Sequence, residues 1–103
     1  MTSPTQRSLK LLRERGLRAE VTERWNQWAK VRQDLFGIID IVAIGDKQTF
    51  GVQTTSYSNM SARVKKIQDS DAYPLLKEAG WNIIVHGWKK NKSNRWEVKE
   101  TIL

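Results

Sequence analysis

Seven residues in the middle of the chain, Ile38-Ile39-Asp40-Ile41-Val42-Ala43-Ile44, constrain the fold most tightly. Their near-continuous apolar character predicts a central strand buried on both faces of a sheet. Gly45-Asp46-Lys47 reads as a tight turn, and Thr49 to Thr55 as a strand that returns beside the first in a hairpin. Asp40 is the anomaly in the run. A carboxylate there costs energy unless it is paired, reaches an edge or meets a cation.

The flanking segments supply helices and further strands. Ser3-Pro4-Thr5-Gln6 combines a cap, a proline suited to the first turn and a residue that closes a capping box. The helix it opens carries Leu9 and Leu12 on one face and stops at Gly16. Arg18 to Trp25 alternates fairly and reads as a first strand, whereas Asn26 to Gln33 is polar and fits no regular element. Ser58 or Asn59 can cap a helix with Met60, Val64 and Ile67 inward and Arg63, Lys65 and Lys66 toward solvent. A short helix follows Ser70-Asp71 and ends at Gly80. Trp81 to Trp88 contains a fourth strand, Lys89 to Arg95 a basic loop, and Trp96 to Ile102 a last strand antiparallel to the fourth. The predicted order is α-β-β-β-α-(α)-β-β. This is an α/β fold in which helices flank a mixed sheet, with residues 1–103 as one domain.

Charge narrows the partner. Lys and Arg number 18 against 11 Asp and Glu, a formal charge of +7 in 103 residues. That balance in a small domain suits an anionic partner, with nucleic acid first because phosphate contacts release counterions. Lys89, Lys90, Lys92 and Arg95 form the densest basic cluster, and Arg63 adds a further cation. Five Trp residues supply core volume, and Trp28, in the irregular segment, is the one placed to stack on a base. The absence of Cys excludes disulfides and Cys-based zinc sites and suggests the cytoplasm, that of a host if the source is viral. No apolar run approaches the length of a membrane span.

The stretch from Asp40 to Ser56, DIVAIGDKQTFGVQTTS, resembles the central hairpin of the PD-(D/E)XK nuclease superfamily. It is similar to archaeal-type Holliday junction resolvases and to small phage and VRR-type nucleases. The resemblance extends in outline from Ser3 to about Trp88. It implies a restriction-endonuclease-like core and a Mg²⁺- or Mn²⁺-dependent DNA endonuclease. It also implies a branched or junction substrate and a homodimer. Asp40 matches the family's Asp, Gln53 its second acid, Thr54 the spacer and Thr55 its Lys. Thus Asp40, the Gln53 side chain and the Thr54 carbonyl are the implied metal ligands. Three features depart from the pattern: Gln53 is an amide, Thr55 carries no charge, and the helix has no Glu where the family often places one, a position Gln6 or Glu14 could fill. Lys65 or Lys66 can stand in for the missing Lys, and Asp34 or Glu23 can supply a second acid.

Each of these residues also has a plainer reading. Asp40 can pair with a buried Arg, Asp34 can cap a turn, and Gln53 and Thr55 can be polar residues of a half-exposed face. Lys65 and Lys66 can be a solvated helix face. His86 reads as a strand residue, since nothing beside it in sequence completes a dyad. Two rival functions follow: a catalytically degenerate nucleic-acid-binding protein on the same fold, and a basic accessory subunit that meets an acidic protein.

Overall fold

A computed structural model describes residues 2–103. Helix α1 (Pro4–Glu14) starts at Ser3, whose hydroxyl accepts from the Gln6 amide at 3.2 Å. Gly16 follows the helix with φ +87°, the left-handed geometry a side chain would resist. Strands β1 (Arg18–Val21), β4 (Ile41–Gly45) and β5 (Gln48–Ser56) form an antiparallel meander, with β2 (Arg24–Asn26) and β3 (Val31–Gln33) inserted between the first two. Helices α2 (Met60–Gln68) and α3 (Ala72–Glu78) then lead to β6 (Trp81–Lys90), which lies parallel to β5. Finally β7 (Trp96–Ile102) pairs antiparallel with β6. The main sheet has five strands in the order β1-β4-β5-β6-β7, and β2-β3 is a separate two-stranded ribbon.

Each face of the sheet buries its own cluster. On one face Leu9 and Leu12 of α1 pack on Ala19, Ile41, Ala43 and Val52. On the other, Met60, Ile67 and Leu76 of α2 and α3 pack on Ile38, Ile39, Ile83 and Val85. Burying each large aliphatic stabilises the fold by roughly 1.5–3 kcal/mol. Close packing also dictates Gly51. A β-carbon there would lie 2.8 Å from Ile39 Cδ1 and 3.3 Å from Ile83 Cδ1.

The α/β class and the mixed sheet match the sequence expectation, but several boundaries do not. The strand expected over Ile38–Ile44 begins at Ile41, because Phe36 and Gly37 take positive φ and fold Leu35–Asp40 into a turn. The strand meets a core cluster on each face, Ile41 and Ala43 on one and half-buried Val42 on the other, but the burial stops short of its end. It lies one place from the sheet edge, and Ile44 is 50% exposed. The strand expected over Arg18–Trp25 breaks after Val21, and Asn26 to Gln33 is part of a ribbon, so the order gains two strands. Asn59 occupies the cap of α2 without a side-chain bond, after a 3₁₀ turn over Tyr57–Asn59. Lys89 and Lys90 belong to β6, which leaves a basic loop of Asn91–Arg95. The turn between β4 and β5 is as tight as expected. Asp46 and Lys47 have φ of 51° and 62°, the twist that two-residue hairpin loops favour.

Candidate metal centre

Asp40 stands at the mouth of β4, and the sheet fixes its backbone on both sides. Its N–H donates to the Val52 carbonyl at 2.9 Å, and its carbonyl accepts from Thr22 N–H at 2.7 Å. The side chain is 4% exposed. Its Oδ2 accepts from Gln53 Nε2 at 2.6 Å, Thr54 N–H at 2.8 Å and the Thr54 hydroxyl at 3.1 Å. Among the described residues no buried Arg pairs with it, but it does cap a backbone group, the Thr54 N–H, within a wider polar cluster.

Two further acids converge on it. Glu23, Asp34 and Asp40 each offer an oxygen within 4.8 Å of the others. They arrive from three separate segments: Glu23 just before β2, Asp34 just after β3, and Asp40 before β4. Gln53 Nε2 also donates to Asp34 at 3.4 Å, so one amide nitrogen sits between two carboxylates. Burial pushes the Asp40 carboxyl up to about 7, the hydrogen bond that its protonated form donates to Asp34 adds to the rise, and the Thr54 amide opposes it.

The donor set fits a hard divalent cation. Three carboxylate oxygens and an amide carbonyl are ligands of the kind Mg²⁺ and Mn²⁺ prefer. Gln53 is 1% exposed, and its Oε1 is a buried acceptor without a partner. Such an atom costs about 1–3 kcal/mol, and half a turn of the amide would exchange it with the nitrogen that faces the acids. The amide nitrogen thus occupies a position between carboxylates suited to a cation.

Of the other residues singled out in the sequence, Lys66 comes closest, with Nζ 3.7 Å from Asp34 Oδ2. Lys65 and Arg63 make no ion pair with the three acids. Thr55 is buried on β5 and gives no hydrogen bond to them. Arg32 pairs with Glu23 at 3.4 Å, a partner the sequence did not suggest. A cleft of about 450 Å³ lined by Arg32, Gln33, Asp34, Gly37 and Lys66 opens beside the cluster. Thr22, Arg24, Leu35 and Phe36 line a second cleft that shares Gln33 and Asp34.

The basic cluster sits at the same end of the sheet. In the parallel register Gln53 lies beside Val85, so Lys89 is four residues, roughly 13 Å, further along. Lys89 lies 4.4 Å from the centre of the Tyr57 ring and Lys90 5.4 Å from that of Trp96, where Arg7 also stacks at 3.5 Å. Lys92 and Arg95 flank the turn held by Asn91, whose Oδ1 accepts from Ser93 and Arg95 amides.

His86 has partners that sequence proximity could not reveal. Ser8 Oγ is 2.8 Å from its Nδ1 and also accepts from Trp88 Nε1 at 2.8 Å. Glu100 Oε2 lies 3.3 Å from its Nε2, and Arg15 holds Glu100 in turn. Burial lowers the pKa of His86, and the Arg15 hydrogen bond lowers that of Glu100. Ser8 and His86 are both fully buried, so this chain ties α1 to the sheet and presents no nucleophile to a substrate. Among the described residues, no helix is long and apolar enough to cross a membrane. No family model, no curated protein and no solved structure matches the chain.

Proposed function

We propose that the chain is a divalent-metal-dependent DNA endonuclease on a restriction-endonuclease-like core of the PD-(D/E)XK kind. The observation that carries this reading is the convergence of Glu23, Asp34 and Asp40, two of them bonded by Gln53 Nε2, at the sheet end that also bears Lys89 and Lys90. The meander β1-β4-β5, followed by a helical crossover to parallel β6, supports the same reading.

Asp40, Asp34, Glu23 and Gln53 would hold Mg²⁺ or Mn²⁺. When bound, the ion supplies charge stabilisation at a phosphoryl oxygen and activation of water. The chain's own residues do the rest. Thr54 N–H fixes the Asp40 carboxylate, and the β5-β6 pairing, with Thr54 beside His86, fixes Thr54. Lys66, 3.7 Å from Asp34, would replace the motif Lys from a helix instead of a strand and balance charge at the phosphate. Lys89, Lys90, Lys92 and Arg95 hold the backbone of the nucleic acid.

The test is cleavage of labelled four-way junction, duplex and single-stranded DNA in Mg²⁺, Mn²⁺ or chelator, with Asp40→Asn as control. Metal-dependent cutting lost in the variant is the expected result. The amide at Gln53 and the uncharged Thr55 favour a second reading, a binding module that has lost catalysis. Salt-sensitive binding without cutting on any DNA, unaltered in Asp40→Asn, would replace the first reading with the second.

A further inference from the structure

The β2-β3 ribbon is the least explained part of the molecule. Its strands pair only with each other, Trp25 opposite Arg32 and Asn26 opposite Val31. Trp25 is 61% exposed and Trp28, at the tip, is 88% exposed. An indole left in water forgoes the burial that would stabilise the fold by a few kcal/mol. The tip is nevertheless ordered by side-chain bonds: Asn26 Oδ1 accepts from the Trp28 and Ala29 amides, each at 3.0 Å. From Arg24 to Gln33 the ribbon carries Arg24, Lys30 and Arg32 and no acid.

The ribbon is also rooted in the acidic cluster. Thr22, which donates to the Asp40 carbonyl, leads into Glu23 at its start, and Asp34 closes it. The Glu23–Arg32 pair braces its base. Whatever the tip holds therefore continues toward the acids, roughly 15 Å away along the strand.

We infer that the β2-β3 ribbon is a stacking arm for unpaired bases, which makes the substrate of the neighbouring site a nucleic acid with a single-stranded segment. The chemistry selects this occupant. Exposed indole faces beside cations grip single strands independently of sequence. A continuous duplex hides its base faces and would have to unstack to meet Trp28. The cations of the arm match the phosphates of such a strand. At the 3.4 Å rise of stacked DNA, Trp28 would hold a base about four nucleotides from the cluster.

The inference rests on the nuclease reading only for what happens at the base of the arm, and its test is run without metal. Anisotropy of a labelled oligonucleotide of about fifteen nucleotides, single-stranded or duplex, is measured in chelator with the wild-type chain, Trp28→Ala, Trp25→Ala/Trp28→Ala and Trp28→Phe. Single-strand affinity is expected to fall about tenfold in Trp28→Ala and further in the double variant, with duplex affinity unchanged. Trp28→Phe, which keeps a stacking face, is expected to recover most of the loss. Equal losses on both forms, or none on either, would overturn the inference. So would binding of anionic lipid vesicles that depends on the same two tryptophans. If strand binding follows the tryptophans but the wild-type chain cuts nothing in Mg²⁺ or Mn²⁺, the nuclease reading fails and the arm stands.

Discussion

Replacing Asp40 by Asn separates what the acid costs the fold from what it gives the site. The carboxyl lies almost wholly out of water and is pushed from 3.8 up to about 7. A group whose folded pKa is raised stabilises the fold at low pH and loses that contribution as pH rises through about 7. Above that value the folded protein carries a buried charge shared with Asp34. Three pKa units at 1.36 kcal/mol each, a net rise in which the bonds to Gln53 and Thr54 are already counted, set an upper bound of about 4 kcal/mol. Asn keeps an acceptor for the Thr54 amide and removes the charge. In chelator, Asp40→Asn is therefore expected to be more stable than wild type at pH 8, by up to that amount. The gain should shrink steadily between pH 7 and pH 4. Urea unfolding followed by tryptophan fluorescence across that range reads both quantities. Added Mn²⁺ should stabilise the wild-type chain alone. A variant less stable than wild type at pH 8, or a difference independent of pH, would show that hydrogen bonds fully satisfy the Asp40 charge, and the reasoning from burial would fall.

Three other outcomes are expected. Gln53→Glu adds a carboxylate to the cluster, so it should destabilise the metal-free protein by about 1–3 kcal/mol and tighten Mn²⁺ binding at least tenfold, as calorimetry would read. Ser8→Ala leaves His86 Nδ1 and Trp88 Nε1 without their shared partner and should cost about 2–4 kcal/mol in thermal or urea unfolding, with DNA binding at permissive temperature unchanged. Neutralising Lys89, Lys90, Lys92 and Arg95 together to Gln should weaken duplex and single-strand binding alike and flatten the dependence of log K on log salt by about 3 units.

Legibility of the sequence followed the physics of burial. Asp40 stands out because a polar group among apolar ones needs a partner, Gln53 only through its place in the motif, and the two are each other's partners. The β4-β5 hairpin and the α2 face were readable from periodicity. Ile38 and Ile39 misled because an apolar residue signals burial, and a buried turn satisfies that signal as well as a strand does. The β2-β3 ribbon was illegible for the opposite reason. Its residues are mostly exposed, so no apolar alternation marks its strands. Lys66 was singled out with Lys65 but could not be distinguished from it, since both occupy the solvent side of one helical turn. Glu23 and Asp34 are each named in the sequence as a possible second acid, and only the ribbon between them brings both to Asp40.

The polar chain around His86 bears on how the molecule reaches its native state. Ser8 meets His86 and Trp88 across 78 and 80 residues of sequence, and Arg15 meets Glu100 across 85. Closing so long a loop before the contacts repay its entropy is unfavourable, so these bonds form after the β4-β5 hairpin and the α2-α3 crossover. Interactions absent from the folding transition state govern escape from the native basin. Loss of Ser8 or Glu100 should therefore leave the refolding limb of a chevron nearly unmoved and raise the unfolding limb. The imidazole acts as a late latch, one that sets how long the folded molecule persists more than how fast it is made.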